Sequence, residues 1–332
     1  MKILPAILTS EHPRGLKVAV DQMSEMPDLT IFVDTWDEDY RQWVVDNFSK
    51  KFKVVVNDLN KLGFPGAGKN FVLGYFLESD YTHLIPIDGD DFLWQGSYDK
   101  MVKIIEDYPA DFYFYEYTDQ FWSDQFTHTC LTWTKEWYKI VYNYFVKNGD
   151  TYRIRETHRR LRYNYDADRI AIETKKSAEF KYVDDVYMLE DVHRCLRLKR
   201  EGLLGNLKGY SIRGRDLYCY VKHLEHVRIK NRPRTVNKHK FDHIDDETGF
   251  KSYDLLQTLE WSDQDELMMA KRLPLIVLQD SVSYNEKRSF FQKNYKETEL
   301  TMEFYTDNLI GNPFKDYDVE SGDLTYYDEE SS

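Results

Sequence analysis

No stretch of about 18 apolar residues occurs anywhere in the 332-residue chain, which excludes a membrane-spanning helix. Cysteine is scarce as well: Cys130, Cys195 and Cys219 are widely spaced and odd in number. That pattern fits neither a disulfide framework nor a zinc site, and a reducing compartment is the simpler reading. The amino-terminal run MKILPAILTSEHP is too short for a signal peptide, so the expectation is a cytoplasmic protein with no membrane partner. None of the nine histidines belongs to a His-Glu-x-x-His metal motif, and no internal repeat is present. Gly63, Gly68 and Lys69 reproduce the spacing of a phosphate-cradling loop. Asn70 nevertheless stands where a Ser or Thr hydroxyl should meet magnesium, and the segment follows the third strand-like run, not the first.

The chain does carry charge, unevenly. Its net charge is -13, yet residues 151–240 hold 23 Lys+Arg against 12 Asp+Glu, a net +11, and leave -24 for the remainder. A basic middle inside an acidic chain implies an anionic partner at that segment, or pairing with the acidic remainder. The 26 Tyr and 7 Trp suit stacking on sugars or bases and suit ordinary packing equally.

Over the first hundred residues the pattern alternates between the two periodicities. Strands are predicted at 2–8, 28–34 and 52–56, and helices at 14–25, 38–48 and 69–78, the last preceded by a glycine-rich loop at 63–68. Further expectations are a helix near 98–107, strands at 111–117, 126–133 and 217–221, helices at 134–148 and 151–163, and a basic loop at 231–240. Two more helices are predicted at 251–272 and 284–305, with the apolar LPLIVL between them, and the acidic end from residue 315 reads as a disordered tail. Alternation of this kind predicts an α/β fold: a mostly parallel sheet flanked by helices, with a mainly helical C-terminal extension. Three units follow: 1–205 as the main domain, 206–314 as the extension and 315–332 as the tail.

Two acidic motifs carry the chemistry. In THLIPIDGDDFL, residues 82–93, an apolar strand ends in Asp88, Asp90 and Asp91 around one glycine. Ligands of open α/β sheets bind at the carboxyl ends of strands, and three like charges there call for a hard divalent cation that also carries substrate phosphates. Asp-Gly-Asp turns also serve as simple connections, with the carboxylates capping backbone amides. The second motif, YMLEDVHRCLRLKREG, places Glu190 and Asp191 at the head of a helix, where carboxylates are stabilised by the dipole and can also serve as a base.

Taken in order, a first strand leading into LTSEH, a second ending in Asp34, GKN opening a helix about 18 residues before IPIDGDD, and LEDVHRCLRLKREG resemble the nucleotide-sugar glycosyltransferases of the GT-A fold, especially inverting family 2. The resemblance covers residues 2–205. It implies that Asp90 binds Mn2+ or Mg2+ with Asp88 near the ribose or the metal, and that Thr9, Glu11, Asp34 and Lys69 contact the nucleotide. Asp191 falls at the catalytic base. Family members usually carry an Arg-Asn pair where Lys69 and Asn70 stand.

The donor expected from the resemblance is a UDP-linked sugar. For the acceptor, the Arg and Lys clusters with interleaved Tyr at 151–164 and 210–240, including Arg159, Arg160, Arg232 and Arg234, suit phosphate contacts. A hydroxymethylated base in duplex DNA, extruded to reach the site, is one acceptor of that type. A saccharide or protein acceptor is the alternative, and a non-catalytic nucleic-acid-binding protein on a transferase scaffold is a reading of a different class.

Overall fold

Strand β1 (Ile3–Thr9) shows how the sequence builds two layers at once. Side chains alternate across a strand, so Ile3 and Ile7 fall on one face and Leu4 and Ala6 on the other. All four are buried, because helices cover both faces. On the first face lie α1 (Pro13–Met23), α2 (Glu38–Phe48) and α4 (Ser97–Asp107). The apolar stripe of α1, Leu16, Ala19, Val20 and Met23, packs with Ile3, Ile7, Ile31 and Val33. On the second face α3 (Pro65–Glu78) inserts Val72, Leu73 and Phe76 against Leu4, Ala6, Phe32 and Leu84. Asp37 caps α2, its carboxylate accepting the Tyr40 N–H at 3.0 Å.

The computed structural model describes residues 1–10, 13–35, 37–57, 64–89, 91–117, 119–122, 169–184, 190–222, 271–283, 285–287 and 289–290. The remaining strands are β2 (Thr30–Val33), β3 (Lys53–Val56), β4 (His83–Asp88), β5 (Phe92–Leu93), β6 (Phe112–Tyr117), β7 (Asp119–Trp122), β8 (Arg169–Thr174), β9 (Gly209–Arg213), β10 (Tyr218–Lys222) and β11 (Leu275–Val277). Two helices complete the described elements: the short α5 (Lys175–Ala178), and α6 (Glu190–Leu204), which packs Cys195 and Leu198 onto Phe112, Phe114 and Ile170.

Eight strands form one sheet in the order β11-β9-β6-β8-β4-β1-β2-β3. All neighbours are parallel except β8, which runs antiparallel to both β4 and β6. A second, three-stranded sheet has the order β5-β10-β7. This is the expected α/β architecture, with one antiparallel strand in its middle. Among the described residues no helix is long and apolar enough to cross a membrane.

Several elements differ from expectation. Helix α3 begins at Pro65, four residues before the predicted start, because a proline at the first helical position is pre-set for the helix and takes in the glycine-rich segment as its first turn. Within LPLIVL, Leu275–Val277 form the edge strand β11, paired in parallel with β9. Strands β7 and β8 were not anticipated. The expected strand at 126–133, the helices at 134–148 and 151–163, most of those at 251–272 and 284–305, the basic loop at 231–240 and the acidic tail lie outside the described residues.

Candidate active site

The order β3-β2-β1-β4 reverses direction at β1, since β2 and β3 lie to one side of it and β4 to the other. The crevice beyond the carboxyl ends of strands at such a switch point is where open α/β sheets bind ligands. Register places Leu8 opposite Asp88 and Thr9 opposite Val33, so Thr9, Asp34 and Asp88 share one rim.

The β1–β2 side of the rim is tightly tied. Thr9 Oγ1 and the Tyr40 hydroxyl are hydrogen-bonded at 2.5 Å, and the Thr9 carbonyl accepts the Asp34 N–H at 3.0 Å. Asp34 Oδ1 accepts from Asn57 Nδ2 at 2.9 Å, at the end of β3. Burial pushes the Asp34 carboxyl above its ordinary value, against the hydrogen bond from Asn57 and the charge of Arg41. Two glycines allow this crowding. A Cβ on Gly68 would stand 2.6 Å from Asp34 Oδ2, so only glycine lets α3 approach the carboxylate. At Gly89 a Cβ would fall 2.7 Å from both the Leu8 carbonyl oxygen and Thr9 Cβ, where the chain leaves β4 past the end of β1.

The acidic run divides. The Asp88 side chain is one-third exposed at the cleft, whereas that of Asp91 is fully buried. Arg169, at the head of β8, joins them: its Nη1 donates to Asp88 Oδ2 at 2.6 Å, to Asp91 Oδ2 at 2.9 Å and to the Tyr218 hydroxyl at 2.7 Å. The Tyr218 hydroxyl in turn donates to Asp91. Asp91 therefore fixes Arg169 and Tyr218 from below.

Across the cleft, α6 presents Glu190 and Asp191 in its first turn. Lys69 reaches over from α3, its Nζ 3.0 Å from Glu190 Oε1 and 2.5 Å from Asp191 Oδ2. Burial works against the Lys69 charge, but Asp191 and Glu190, with Asp88 further off, outweigh it and hold the ammonium well above its ordinary pKa. Glu190 is pushed up by burial, with Lys69 opposing and Asp191 adding to the rise. The Tyr182 ring centroid lies 5.5 Å from Lys69 Nζ. Asn70, next along α3, clamps the same segment: its amide donates to the Tyr182 carbonyl at 2.8 Å and to Asp184 at 2.6 Å, and accepts the Tyr182 N–H at 2.9 Å.

Behind Tyr182 lies an ion pair with no solvent exposure on either side chain, Arg194 on α6 with Glu173 on β8. Arg194 Nη2 stands 2.5 Å from Glu173 Oε2, Nε donates to the Phe180 carbonyl at 2.5 Å, and the guanidinium sits 4.5 Å from the Tyr182 ring centroid. This pair locks α6 to the sheet and to the 177–182 segment.

The result is an open cleft, with a cavity volume of about 50 Å3, that has Leu8, Lys69, Asp88, Arg169, Tyr182 and Asp191 in its lining. It brings together the expected Asp88, Lys69 and Asp191, with Thr9 and Asp34 at the adjoining rim. Glu11, Asp90, Arg159, Arg160, Arg232 and Arg234 lie outside the described residues. Sequence reasoning missed Arg169, Tyr182 and the Glu173–Arg194 pair; the available signal for Arg169 was an arginine opening the apolar run RIAIET.

As a metal ligand Asp88 fits through its exposure: it is a carboxylate at a strand end facing the cleft, and although its Oδ2 pairs with Arg169 at 2.6 Å, a third of its side chain is open. Asp91 does not, because its Oδ2 is committed to Arg169 and Tyr218 in the interior. Among the described residues no group of three potential ligand side chains forms.

No protein-family model and no curated protein matches the sequence. Solved structures do match. TarS residues 1–349 from S. aureus, in complex with UDP-GlcNAc, superpose with a TM-score of 0.52 at 11% identity, covering 94% of this chain and 79% of that one. The same TarS segment in complex with UDP gives a TM-score of 0.50 at 11% identity, over 92% and 78%. For a longer S. aureus TarS structure the match covers 67% of this chain but only 37% of that one, with 11% identity and a TM-score of 0.44. At such identity the likeness establishes the fold, and the fold is GT-A.

Proposed function

We propose that this GT-A chain is an inverting glycosyltransferase that moves a sugar from a UDP-linked donor to an acceptor hydroxyl. The observation that carries the reading is the meeting of Asp88 and Asp191, with the cations Lys69 and Arg169, in one cleft at the β1–β4 switch point. The presence of UDP and UDP-GlcNAc in complexes of a protein with this fold supports the donor class.

In this reading Thr9 and Asp34, with Glu11, bind the nucleotide, and Asp88 with Asp90 would hold Mn2+ or Mg2+. When bound, that ion neutralises the departing nucleoside diphosphate. Asp191 receives the proton of the acceptor hydroxyl while its oxygen attacks the anomeric carbon from the face opposite the diphosphate. The bond from that carbon to the diphosphate oxygen breaks, the diphosphate leaves with the electron pair, and one displacement inverts the centre. Arg169 brings a positive charge to the same end of the cleft, where negative charge develops.

For the acceptor, the net +11 of residues 151–240 favours a polyanion, with a hydroxymethylated base of duplex DNA as the specific candidate and Arg159, Arg160, Arg232 and Arg234 as its phosphate contacts. A saccharide or protein acceptor does not call on that charge, which would then pair with the acidic remainder of the chain. The test is UDP release from a panel of UDP-sugars with Mn2+ or Mg2+, with and without hydroxymethylated duplex DNA, alongside Asp191→Asn. Turnover that requires the DNA and falls about 10²- to 10⁴-fold in the variant is expected. Turnover indifferent to DNA overturns the acceptor, and unchanged turnover in Asp191→Asn overturns the base.

A further inference from the structure

Lys69 and Glu190 meet across 121 positions of sequence at the point where the base is held. We propose that Lys69 is a positioning residue for Asp191, gripping one carboxylate oxygen of the base while the buried Glu190 anchors the ammonium; the proposal rests on the reading of Asp191 as the base.

The three side chains differ in a way that assigns their roles. That of Glu190 is 7% exposed and that of Asp191 38%, with Lys69 at 15% between them. The inner carboxylate is thus shielded from an acceptor, and the outer one borders the cleft. Lys69 holds Asp191 by Oδ2, which leaves Oδ1 to receive the acceptor proton. Two carboxylates against one ammonium carry a net charge of one negative unit. When the acceptor hydroxyl gives its proton to Asp191 and its oxygen bonds to the anomeric carbon, the diphosphate departs with the electrons of the broken bond, and the trio becomes neutral. Glu190 keeps Lys69 paired throughout, so the ammonium has no need to follow the charge. Without that anchor a lone ammonium facing a lone Asp191 would favour the ionised form more strongly and make it a poorer proton acceptor.

The cation is itself held in place. Tyr182 lies beside it, and Arg194 from behind and Asn70 through the backbone fix that ring. A long flexible side chain so enclosed aims its partner instead of screening it. The resemblance-based expectation sets Lys69 on the nucleotide, and the two roles separate kinetically. A residue that binds the donor acts on affinity, whereas one that aims the base acts on turnover.

The experiment uses the full chain with Lys69→Met, which keeps length and removes charge, Lys69→Arg, and Glu190→Gln as a second route should the first variant misfold. UDP affinity is measured by calorimetry, and kcat and KM are measured for UDP release from UDP-GlcNAc with Mn2+ and whichever acceptor, hydroxymethylated duplex DNA or water, supports turnover of the wild-type chain. Lys69→Met should lower kcat about 10- to 100-fold with UDP affinity and KM within about threefold of wild type. Lys69→Arg should restore most of the loss, and Glu190→Gln should lower kcat at unchanged UDP affinity. A kcat unchanged in both Lys69→Met and Glu190→Gln, or a tenfold loss of UDP affinity at constant kcat in Lys69→Met, overturns the proposal while leaving the transferase reading intact. A wild-type chain that neither binds UDP nor releases it overturns both, and the wild-type control alone reveals it.

Discussion

Arg194→Met should be among the most destabilising single changes available in this chain. Arg194 and Glu173 are both without solvent exposure, and the guanidinium also serves the Phe180 and Ser177 carbonyls and the Tyr182 hydroxyl. Methionine fills similar volume but leaves a carboxylate orphaned in the interior, which costs about 3–5 kcal/mol. Glu173→Leu strands the guanidinium and should cost a similar amount. With both replaced, no buried charge remains, and the residual cost is that of the carbonyls left without donors, about 2–3 kcal/mol. The double variant is therefore expected to be no less stable than either single one, with a coupling of about 3 kcal/mol or more. Urea unfolding followed by tryptophan fluorescence at neutral pH measures all four proteins. A single Arg194→Met within about 1 kcal/mol of wild type, or a double variant as unstable as the two singles summed, would refute the reasoning.

Gly68→Ala tests the crowding at Asp34. Its gain in helix propensity, about 1 kcal/mol, should roughly cancel the strain of a Cβ placed 2.6 Å from Asp34 Oδ2, so stability stays near wild type while UDP affinity by calorimetry falls about tenfold; unchanged affinity would remove Asp34 from the nucleotide site. His193 is buried with Nδ1 unpaired, and burial, helped by the nearby Arg197, pushes its pKa down to about 4. Above about pH 6.5 it is neutral in both folded and unfolded chains; as pH falls towards 4 the unfolded chain takes up the proton first, so stability drops by up to about 3 kcal/mol across that window and no further below it. His193→Leu should remove that part of the slope in urea midpoints measured between pH 7 and 4.

Much of the frame was legible because its signals are local. DLTIFVD and HLIPID are short apolar runs, as strands buried on both faces must be, and α1 repeats its apolar residues at helical spacing. The start of α3 was hidden because Gly66 and Gly68 oppose helix on propensity; the close approach to Asp34, a tertiary demand, explains why glycine stands at 68. Strand β8 was hidden for a related reason: RIAIET gains its place from β4 and β6, far off in sequence. Asp88, Lys69 and Asp191 could be named from motifs, but their partners could not. Arg169 reaches Asp88 across 81 positions and Lys69 reaches Asp191 across 122, and no spacing rule spans such distances.

The antiparallel strand in the middle of the sheet has a consequence for how the chain is made. Strands β1 to β4 can pair as soon as they emerge, in the order β3-β2-β1-β4, but the outer edge of β4 must wait for β8, whose first residue lies 81 positions after Asp88. At ordinary rates of synthesis that wait lasts roughly 4–16 s. Throughout it, β4 offers an unpaired row of backbone groups flanked by buried-type side chains, the kind of edge that recruits other chains. Closing this gap is a long-range pairing, whose loop entropy must be met before any contact rewards it. The same strand that delivers Arg169 to the cleft is thus the keystone of biogenesis, and the half-sheet awaiting it is the form of this protein that a chaperone would meet.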